Sequence, residues 1–289
     1  MAQTINTNLV SLNAQRNLSA SQSSLAVSMQ RLSSGLRVNG AKDDAAGLAI
    51  AERMNAQVRG MSVATRNAND AISLAQTAEG ALGKVGDIFQ RMRELAVQAA
   101  NGTNSDADRT SLNEEFVQLA QEATRTLGGT QFNGQNILAT TNAATFQIGA
   151  NTDTTINQIS VTAFTWTAAA GVTDVLGTAI LSGAGTPTLQ ISGTDGSAAL
   201  TALTSLDTAI NTINSQRGTF GAVQNRFENV IATLMVGTEN QNAARSRIMD
   251  ADYAAETANL SRASILQQAG NAMVAQANQL PQQVLALLR

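Results

Sequence analysis

Apolar side chains recur at helical spacing over a stretch much longer than an ordinary globular helix. Between residues 58 and 92 most of them lie three or four positions apart, which places them along one side of a single amphipathic helix. They are Val58, Met61, Ala68, Ile72, Ala75, Ala78, Leu82, Val85, Phe89 and Met92. Because the only prolines are Pro187 and Pro281, the helix can run from near Asn55 to about Ala100, a length of about 65 Å.

Two further stretches carry the same spacing. One covers residues 112–127 and is stopped by Gly128 and Gly129, and the other covers residues 203–234. Amphipathic helices of this kind bury their apolar faces against one another. The sequence therefore predicts a mainly α protein, built as a long antiparallel helical bundle or coiled coil.

The chain contains no Cys and no His. Zinc sites with those ligands, cysteine nucleophiles, Ser–His pairs and imidazole acid–base catalysis are therefore excluded, and only carboxylate-based chemistry remains open. A net charge of −3 with 13% charged residues argues against nucleic acid as the main partner. Aromatic residues make up only 3% of the chain, which disfavours a cofactor pocket. We expect a protein without catalytic, cofactor or metal sites.

The sequence offers no membrane-targeting pattern. No run of 18 apolar residues predicts a membrane span, so we expect no membrane partner. The first residues lack the basic start and apolar core of a cleaved signal peptide. This leaves two expectations open, a cytosolic protein or export by a route without a cleaved signal.

The middle of the chain differs in composition from both flanks. No Lys, Arg or Glu occurs between Arg125 and Arg217, and the segment is rich in Thr, Gly, Ser, Asn and Ala. Residues 146–151 and 155–164 are predicted to form a small β-hairpin with a turn at 151–153, and residues 186–193 a third strand.

Both ends of the chain carry more apolar surface than they can bury by themselves. The first 42 residues contain no acid, and residues 263–288 contain no charge at all. The apolar positions of the two end helices include Ile5, Leu9, Leu12, Leu25, Leu32, Leu36, Leu266, Met273, Leu280, Val284 and Leu287. Burial of these side chains does not offset the entropy of ordering an isolated end helix. We hypothesise that both ends are disordered in the free monomer and become helical on self-association; a closed monomeric bundle is the alternative.

Several long ungapped segments resemble bacterial flagellin. They are RLSSGLRVNGAKDDAAGLAIAERM at 31–54, RNANDAISLAQTAEGAL at 66–82, QRMRELAVQAANGTNS at 90–105, TQFNGQNIL at 130–138, FQIGAN at 146–151 and ARSRIMDADYAAETANLSRASILQQAGNAMVAQANQLPQQVLALLR at 244–289. The resemblance covers roughly residues 1–155 and 200–289, in the correct order.

The resemblance implies a division of the chain into three parts. Residues 1–44 and 245–289 would pair as the coiled coil that lines the inner tube of the filament. Residues 45–155 and 200–244 would form a rod-like helical bundle with a β-hairpin. Residues 156–199 would be a short, variable, surface-exposed insertion.

The resemblance also implies breaks between the inner and rod-like parts. Asp43 and Asp44 lie at the first break, where either carboxylate could cap a new helix, although an ordinary solvated charge cluster explains them equally well. Asp250, Asp252 and Tyr253 lie at the returning break and are expected to fix the angle there.

A structural subunit for swimming motility is the implied function. Subunits would be exported unfolded through a flagellar type III channel, secreted, and assembled into a helical homopolymer. An export chaperone, the filament cap and hook-associated proteins are the implied bacterial partners. A flagellin-sensing Toll-like receptor and a cytosolic inflammasome sensor are the implied host partners.

The receptor patch implied by the matching string QRMRELAV comprises Gln90, Arg91, Leu95 and, on the neighbouring helix, Glu115. Arg91 and Leu95 are four residues apart and share a helix face, so an exposed Leu95 beside Arg91 would form an interface anchor. The alternative is that Leu95 belongs to the bundle core and Arg91 forms an ordinary surface ion pair.

Three other functions remain as alternatives to a filament subunit. A hook–filament junction protein shares the end segments and would differ in copy number. An exported enzyme would need a catalytic domain in residues 156–198, which are too few. A soluble signalling bundle would stay a folded monomer at high concentration.

Overall fold

The fold was analysed in a computed structural model, which describes residues 7–138, 143–161, 164–166, 169–177 and 189–287. Its helices are α1 (Leu9–Ser34), α2 (Ala45–Ala99), α3 (Asp106–Gly129), α4 (Thr154–Asn157), α5 (Val172–Leu176), α6 (Ser197–Met249) and α7 (Tyr253–Leu287). Its strands are β1 (Gln131–Phe132), β2 (Gln135–Asn136), β3 (Ala144–Gln147) and β4 (Gln158–Val161). The predicted mainly α class, with long helices and a small β-hairpin region, is confirmed.

Local sequence explains where the long helices begin and end. Helix α2 begins about ten residues before the predicted start because the carboxylate of Asp44 accepts the Gly47 backbone N–H at 2.7 Å, which caps the first turn. Helix α3 begins with a capping box, in which Ser105 and Asp108 satisfy each other's backbone N–H groups. Helix α1 ends at Gly35, whose φ of 70° lies in the left-handed region that favours glycine.

The chain divides into two compact units. Unit 1 comprises residues 1–58 and 239–289, and unit 2 comprises residues 59–238. Helix α2 crosses the boundary at 58/59, and helix α6 crosses the boundary at 238/239. Each of these two helices therefore lies partly in unit 1 and partly in unit 2.

Unit 2 contains the main hydrophobic core. The predicted stripe of α2 is buried from Ala68 to Met92, with Ile72 partly buried, and it packs with buried side chains of α3 and α6. The other large members of this core include Phe116, Leu127, Leu206, Ile213, Phe220 and Phe227. Many of the α2 positions are alanines, which allow the helices to pack closely.

The hairpin predicted in the middle of the chain is present, but its strands differ from the predicted ones, since residues 148–151 are not strand and residues 155–157 belong to α4. Strands β3 and β4 pair antiparallel, with Phe146 opposite Ile159. Phe146 packs edge-to-face on Phe227 of α6 with ring centroids 5.8 Å apart, which attaches the hairpin to the helices. A second, two-residue ladder joins β1 to β2 around Asn133 and Gly134, both with positive φ. The third predicted strand is wrong for residues 189–193, which are not strand, and residues 186–188 lie outside the described part.

The expectation that residues 156–199 are surface-exposed is wrong for several of their side chains. Trp166, Val172, Val175, Leu176 and Ile191 belong to the buried core of unit 2. The short apolar patches of this segment pack into the core because they carry the large side chains of an otherwise small and polar sequence.

A glycine permits the close approach of this segment to α6. Gly171 has a φ of 75°, and a Cβ at this position would lie 2.6 Å from the backbone nitrogen of Ala209. Backbone therefore meets backbone here, and any larger residue would push the segment away from the helix.

Among the helices of the described residues, none combines the length and the hydropathy that a membrane crossing needs.

Candidate functional site

Helices α1 and α7 pair antiparallel in unit 1, and this pair is the first candidate site. The Asn8 amide donates to the Ala277 carbonyl at 2.7 Å, and the Ser11 hydroxyl donates to the Asn278 side chain at 2.7 Å. At the other end of the pair, Arg31 lies 3.9 Å from the largely buried Glu256. The contacts run from 8 with 277 to 31 with 256, which fixes the antiparallel direction.

The fully buried positions of the seam between α1 and α7 are small or polar, and half-buried Leu18, Leu25 and Leu32 follow Ser11 at seven-residue steps on α1. The fully buried positions are Ser11, Ser28, Glu256, Ala263 and Ala277. Gly270 lies close to α1, since a Cβ there would come within 3.1 Å of the Leu18 side chain.

Several other large aliphatic side chains of the pair face outward. Leu9 is 67% exposed, and Leu12, Leu266 and Met273 are also exposed. Leu25, Leu32 and Leu36 are half-buried. Ile5 lies outside the described residues, and so do the side chains of Leu280, Val284 and Leu287. The pair therefore presents an apolar surface that a single chain leaves uncovered.

The break between α1 and α2 lies against the break between α6 and α7. Leu36 forms an isolated antiparallel bridge with Asp250, and the Ala251 N–H donates to the Gly35 carbonyl at 3.0 Å. Arg37 donates from its backbone to the Met249 carbonyl at 2.6 Å and from its guanidinium to the Ile248 carbonyl at 2.7 Å. Each linker thus satisfies carbonyl groups at the end of the other helix.

The carboxylates predicted at these breaks have separate tasks. Asp44 caps α2, and Asp252 caps α7 by accepting the N–H groups of Ala254 and Ala255. Asp43 accepts the N–H groups of Asn39 and Gly40 at 3.0 and 3.2 Å, so it holds the turn rather than the helix.

The other two residues predicted at the returning break also make local contacts. Asp250 accepts a hydrogen bond from the Ser246 hydroxyl. Tyr253 is exposed, and its phenol oxygen would lie 3.2 Å from a Cβ at Gly35.

Arg91 and Glu115 form an exposed ion-pair network on unit 2. The Arg91 guanidinium donates to Glu115 with Nε at 3.0 Å and Nη2 at 2.9 Å, and to Glu94 with Nη1 at 2.9 Å. Its pKa is raised by the hydrogen bond to Glu94 and then by that to Glu115. Gln90 is exposed next to it.

The expected exposure of Leu95 is wrong. Leu95 is only 1% exposed and belongs to the hydrophobic core together with Met92, Ala96 and Ala99. Positions 92, 95, 96 and 99 continue the core face of α2, so Leu95 points inward at the edge of the face that carries Arg91. The accessible patch therefore consists of polar and charged side chains.

Two arginines that sequence reasoning missed hold helix ends in place. Arg37 serves the end of α6, as described above. Arg109 is buried, and it donates to the Ala99 carbonyl at 3.0 Å at the end of α2. Only the glycine stop at Gly35 and the capping box at Ser105 mark these regions in the sequence.

Within the described ranges, no group of three or more Asp or Glu side chains could hold a metal ion.

Comparison with known proteins gives concordant matches. The family model for the bacterial flagellin N-terminal helical region matches residues 5–143, and that for the C-terminal helical region matches residues 203–288. A flagellin of Halalkalibacterium halodurans is 45% identical over 286 residues, and a flagellin of Bacillus subtilis is 44% identical over 306 residues; each alignment covers 99% of both chains. The crystal structure of Bacillus cereus flagellin is 35% identical and superposes with a TM-score of 0.46, covering 58% of this chain and 88% of that one.

Proposed function

The chain belongs to the bacterial flagellins, a structural protein family that forms the extracellular flagellar filament by self-polymerisation, and from this premise we propose how its own residues serve that role. The outward aliphatic face of the α1–α7 pair is the surface on which further copies of the chain assemble. The observation that carries this proposal is the exposure of Leu9, Leu12, Leu266 and Met273 on the outer face of the pair. Each side chain of this size that becomes buried stabilises the assembly by about 1.5–3 kcal/mol.

A seeded polymerisation assay tests this surface. Purified chain is salted out or seeded, pelleted and imaged by electron microscopy. We expect Leu266→Gln to reduce the polymerised fraction strongly, because it places an amide in an interface that excludes water. Gln268→Ser is the matched control, since it changes an exposed polar side chain on the same helix. Equal polymerisation of the two variants would contradict the proposal.

The same images separate a filament subunit from a hook–filament junction protein. A filament subunit forms long tubes of uniform diameter, whereas a junction protein stops at a ring. The proposed role in swimming is tested by whether the chain restores motility to a strain that lacks its own filament subunit.

The same proposal includes export of the chain in an unfolded state. It also places the boundaries between the inner part, the rod-like part and the insertion at 44/45, 155/156, 199/200 and 244/245. The break residues Asp43, Asp44, Asp250, Asp252 and Tyr253 would set the angle between the inner and rod-like parts. Charge reversal of Asp252 removes the α7 cap and is expected to alter filament shape or yield. Filaments of normal shape and yield from Asp252→Lys would contradict this role.

The C-terminal segment 263–289 is the proposed binding site of the export chaperone and of the inflammasome sensor. Its lack of internal charge favours capture by an apolar groove. Loss of chaperone co-purification after Leu266→Gln, with retention in Gln268→Ser, is the expected outcome. The filament cap and hook-associated proteins are proposed as contacts of the assembled chain.

Recognition by a host Toll-like receptor is a second proposed function, supported by the exposed Arg91 and Glu115. A receptor carboxylate would have to replace Glu94 or Glu115 as the partner of Arg91. Arg91→Ala and Gln90→Ala, measured as monomers in a receptor reporter assay, are expected to lower the response. Arg125→Ala is the control, because Arg125 is an exposed arginine paired with Glu122 in the same i, i+3 arrangement. Identical responses of Arg91→Ala and Arg125→Ala would refute the assignment.

A further inference from the structure

Three methionines expose more of their surface than methionine usually does in a folded chain. Met29, Met235 and Met273 are 57%, 60% and 57% exposed, whereas Met92 is fully buried and Met249 almost so. Methionine ranks among the residues most often buried in soluble proteins. Exposed thioethers are also the ones that soluble oxidants reach first.

Met273 lies on the outward apolar face of the terminal helix pair. It is seven residues from Leu266 on α7 and shares a helix face with it. Both residues line an open groove of about 540 Å³ together with Leu9, Val10 and Leu18 of α1. The Met273 sulfur is therefore both accessible in the single chain and part of the surface on which copies assemble.

We propose that Met273 is an oxidation site that controls assembly of this chain. A peroxide transfers one oxygen atom to the thioether sulfur; the O–O bond breaks, an S=O bond forms, the sulfur loses two electrons, and the peroxide is reduced to water or an alcohol. The product, methionine sulfoxide, is polar and chiral. The inference rests on the proposed polymerisation surface, because it concerns what happens when that surface is modified.

The consequence follows from burial of the new oxygen. Before assembly the sulfoxide is solvated, so the free chain tolerates it. On assembly the oxygen moves from water into a groove whose lining is largely aliphatic, with Asn13, Asn17 and Ser21 as its polar side chains. Desolvation of the oxygen without a hydrogen bond of equal quality lowers affinity by about tenfold. Once copies cover the groove, the sulfur is shielded, so filament formed before exposure resists the oxidant.

The test uses two full-length variants that differ only at this position. Met29→Leu/Met235→Leu keeps Met273 as the one strongly exposed methionine of the described residues. Met29→Leu/Met235→Leu/Met273→Leu removes it while keeping apolar volume. Both are treated with hydrogen peroxide as free chains, the oxidant is removed, and seeded polymerisation is measured beside peptide mass spectrometry.

We expect Met273 to oxidise at least tenfold faster than Met92 in the first variant, and the critical concentration for polymerisation to rise about tenfold. The second variant should polymerise equally before and after treatment. Treatment of the oxidised chain with both methionine sulfoxide reductases should restore assembly.

Three results would overturn the inference. They are equal oxidation rates at Met273 and Met92, unchanged polymerisation of the fully oxidised first variant, or an equal loss in the second variant. Failure of the reduced chains to form tubes would instead refute the proposed polymerisation. In that case the rate contrast between Met273 and Met92 still decides whether Met273 is an oxidation site.

Discussion

Replacement of Arg109 by methionine should destabilise unit 2 without touching its hydrophobic core. The buried guanidinium donates to the Ala99 carbonyl at 3.0 Å and, at 3.4–3.5 Å, to the carbonyls of Asn101, Gly193 and Thr194. It thereby connects the end of α2, the start of α3 and the segment that leads into α6. Arg109→Met keeps the apolar stem and removes all of these donors.

The magnitude follows from the quality of these contacts. One charge-assisted hydrogen bond of good length contributes about 1.5–3 kcal/mol, and the longer contacts contribute less. The carbonyl groups that lose their donor become unsatisfied, which adds to the cost. Part of this free-energy cost is offset because the variant no longer buries a charge. Asp106, the carboxylate 3.4 Å away, is mostly exposed and remains solvated without its partner. We expect the free energy of unfolding to fall by about 2–4 kcal/mol.

The assay is urea unfolding of the full chain, followed by the fluorescence of Trp166. Trp166 is the only tryptophan, is 1% exposed and lies in unit 2, so its signal reports this unit. Arg125→Met is the control, because Arg125 is exposed and pairs with the half-exposed Glu122 at 2.6 Å; loss of a surface pair of this kind costs about 0–1 kcal/mol. Superimposable unfolding curves for Arg109→Met and Arg125→Met would refute the reasoning.

Three further predictions concern stability. Leu95→Ala should lower the free energy of unfolding by about 2–5 kcal/mol in the same Trp166 assay, because it leaves a cavity in the core. If the free energy falls no more than it does when an exposed leucine is replaced by alanine, Leu95 is not buried. Asp44→Ala should cost about 1 kcal/mol through loss of the α2 cap, measured by urea unfolding followed by circular dichroism, with Asp44→Asn as the conservative control that retains a capping side chain. The Ser105 backbone N–H, and then its hydroxyl, hold the pKa of Asp108 below its usual range. Its contribution to stability is therefore present above the unfolded pKa and is lost as pH falls through the folded pKa. A carboxyl titration followed by nuclear magnetic resonance would contradict this if Asp108 titrated at the ordinary value.

Periodicity predicted the long helices well because their burial is one-sided and regular. The stripe from Ala68 to Met92 becomes the core face of α2 in the structure. Residues Phe146 and Ile159 likewise fall on paired strands, within the two segments predicted to form the hairpin. In each case the pattern extends over enough positions that one face is specified by many side chains together.

The central segment could not be predicted in the same way. The apolar residues around Trp166, Val172 and Ile191 come in groups of only two or three among Thr, Gly, Ser and Ala, which is too few to specify a helical or a strand period. These three residues are buried against helices that are distant in the sequence, and the residues next to them do not indicate this contact. The buried Arg109 is similar, because its partners lie at residues 99 and 193–194 and are backbone carbonyls of no particular residue type.

Leu95 was misplaced for a different reason. The core face of α2 continues through Met92, Ala96 and Ala99, and this spacing already predicts that a leucine at position 95 points inward. The match of QRMRELAV to a receptor patch favours the opposite, an exposed Leu95, and that expectation is wrong.

In the α1–α7 pair, the seam between the two helices and the outer face of the pair differ in composition. The seam buries Ser11, Ser28, Ala263 and Ala277 and half-buries Leu18, Leu25 and Leu32, so pairing of α1 with α7 covers only part of the aliphatic surface of the two helices. Polar contacts such as Asn8 with the Ala277 carbonyl specify the alignment. Other aliphatic side chains, such as Leu9 and Leu266, remain on the outer face, and in the proposed assembly their burial contributes to stability only after another copy covers them. Under this proposal, a substitution that places a larger apolar side chain in the seam should favour the isolated pair at the expense of assembly.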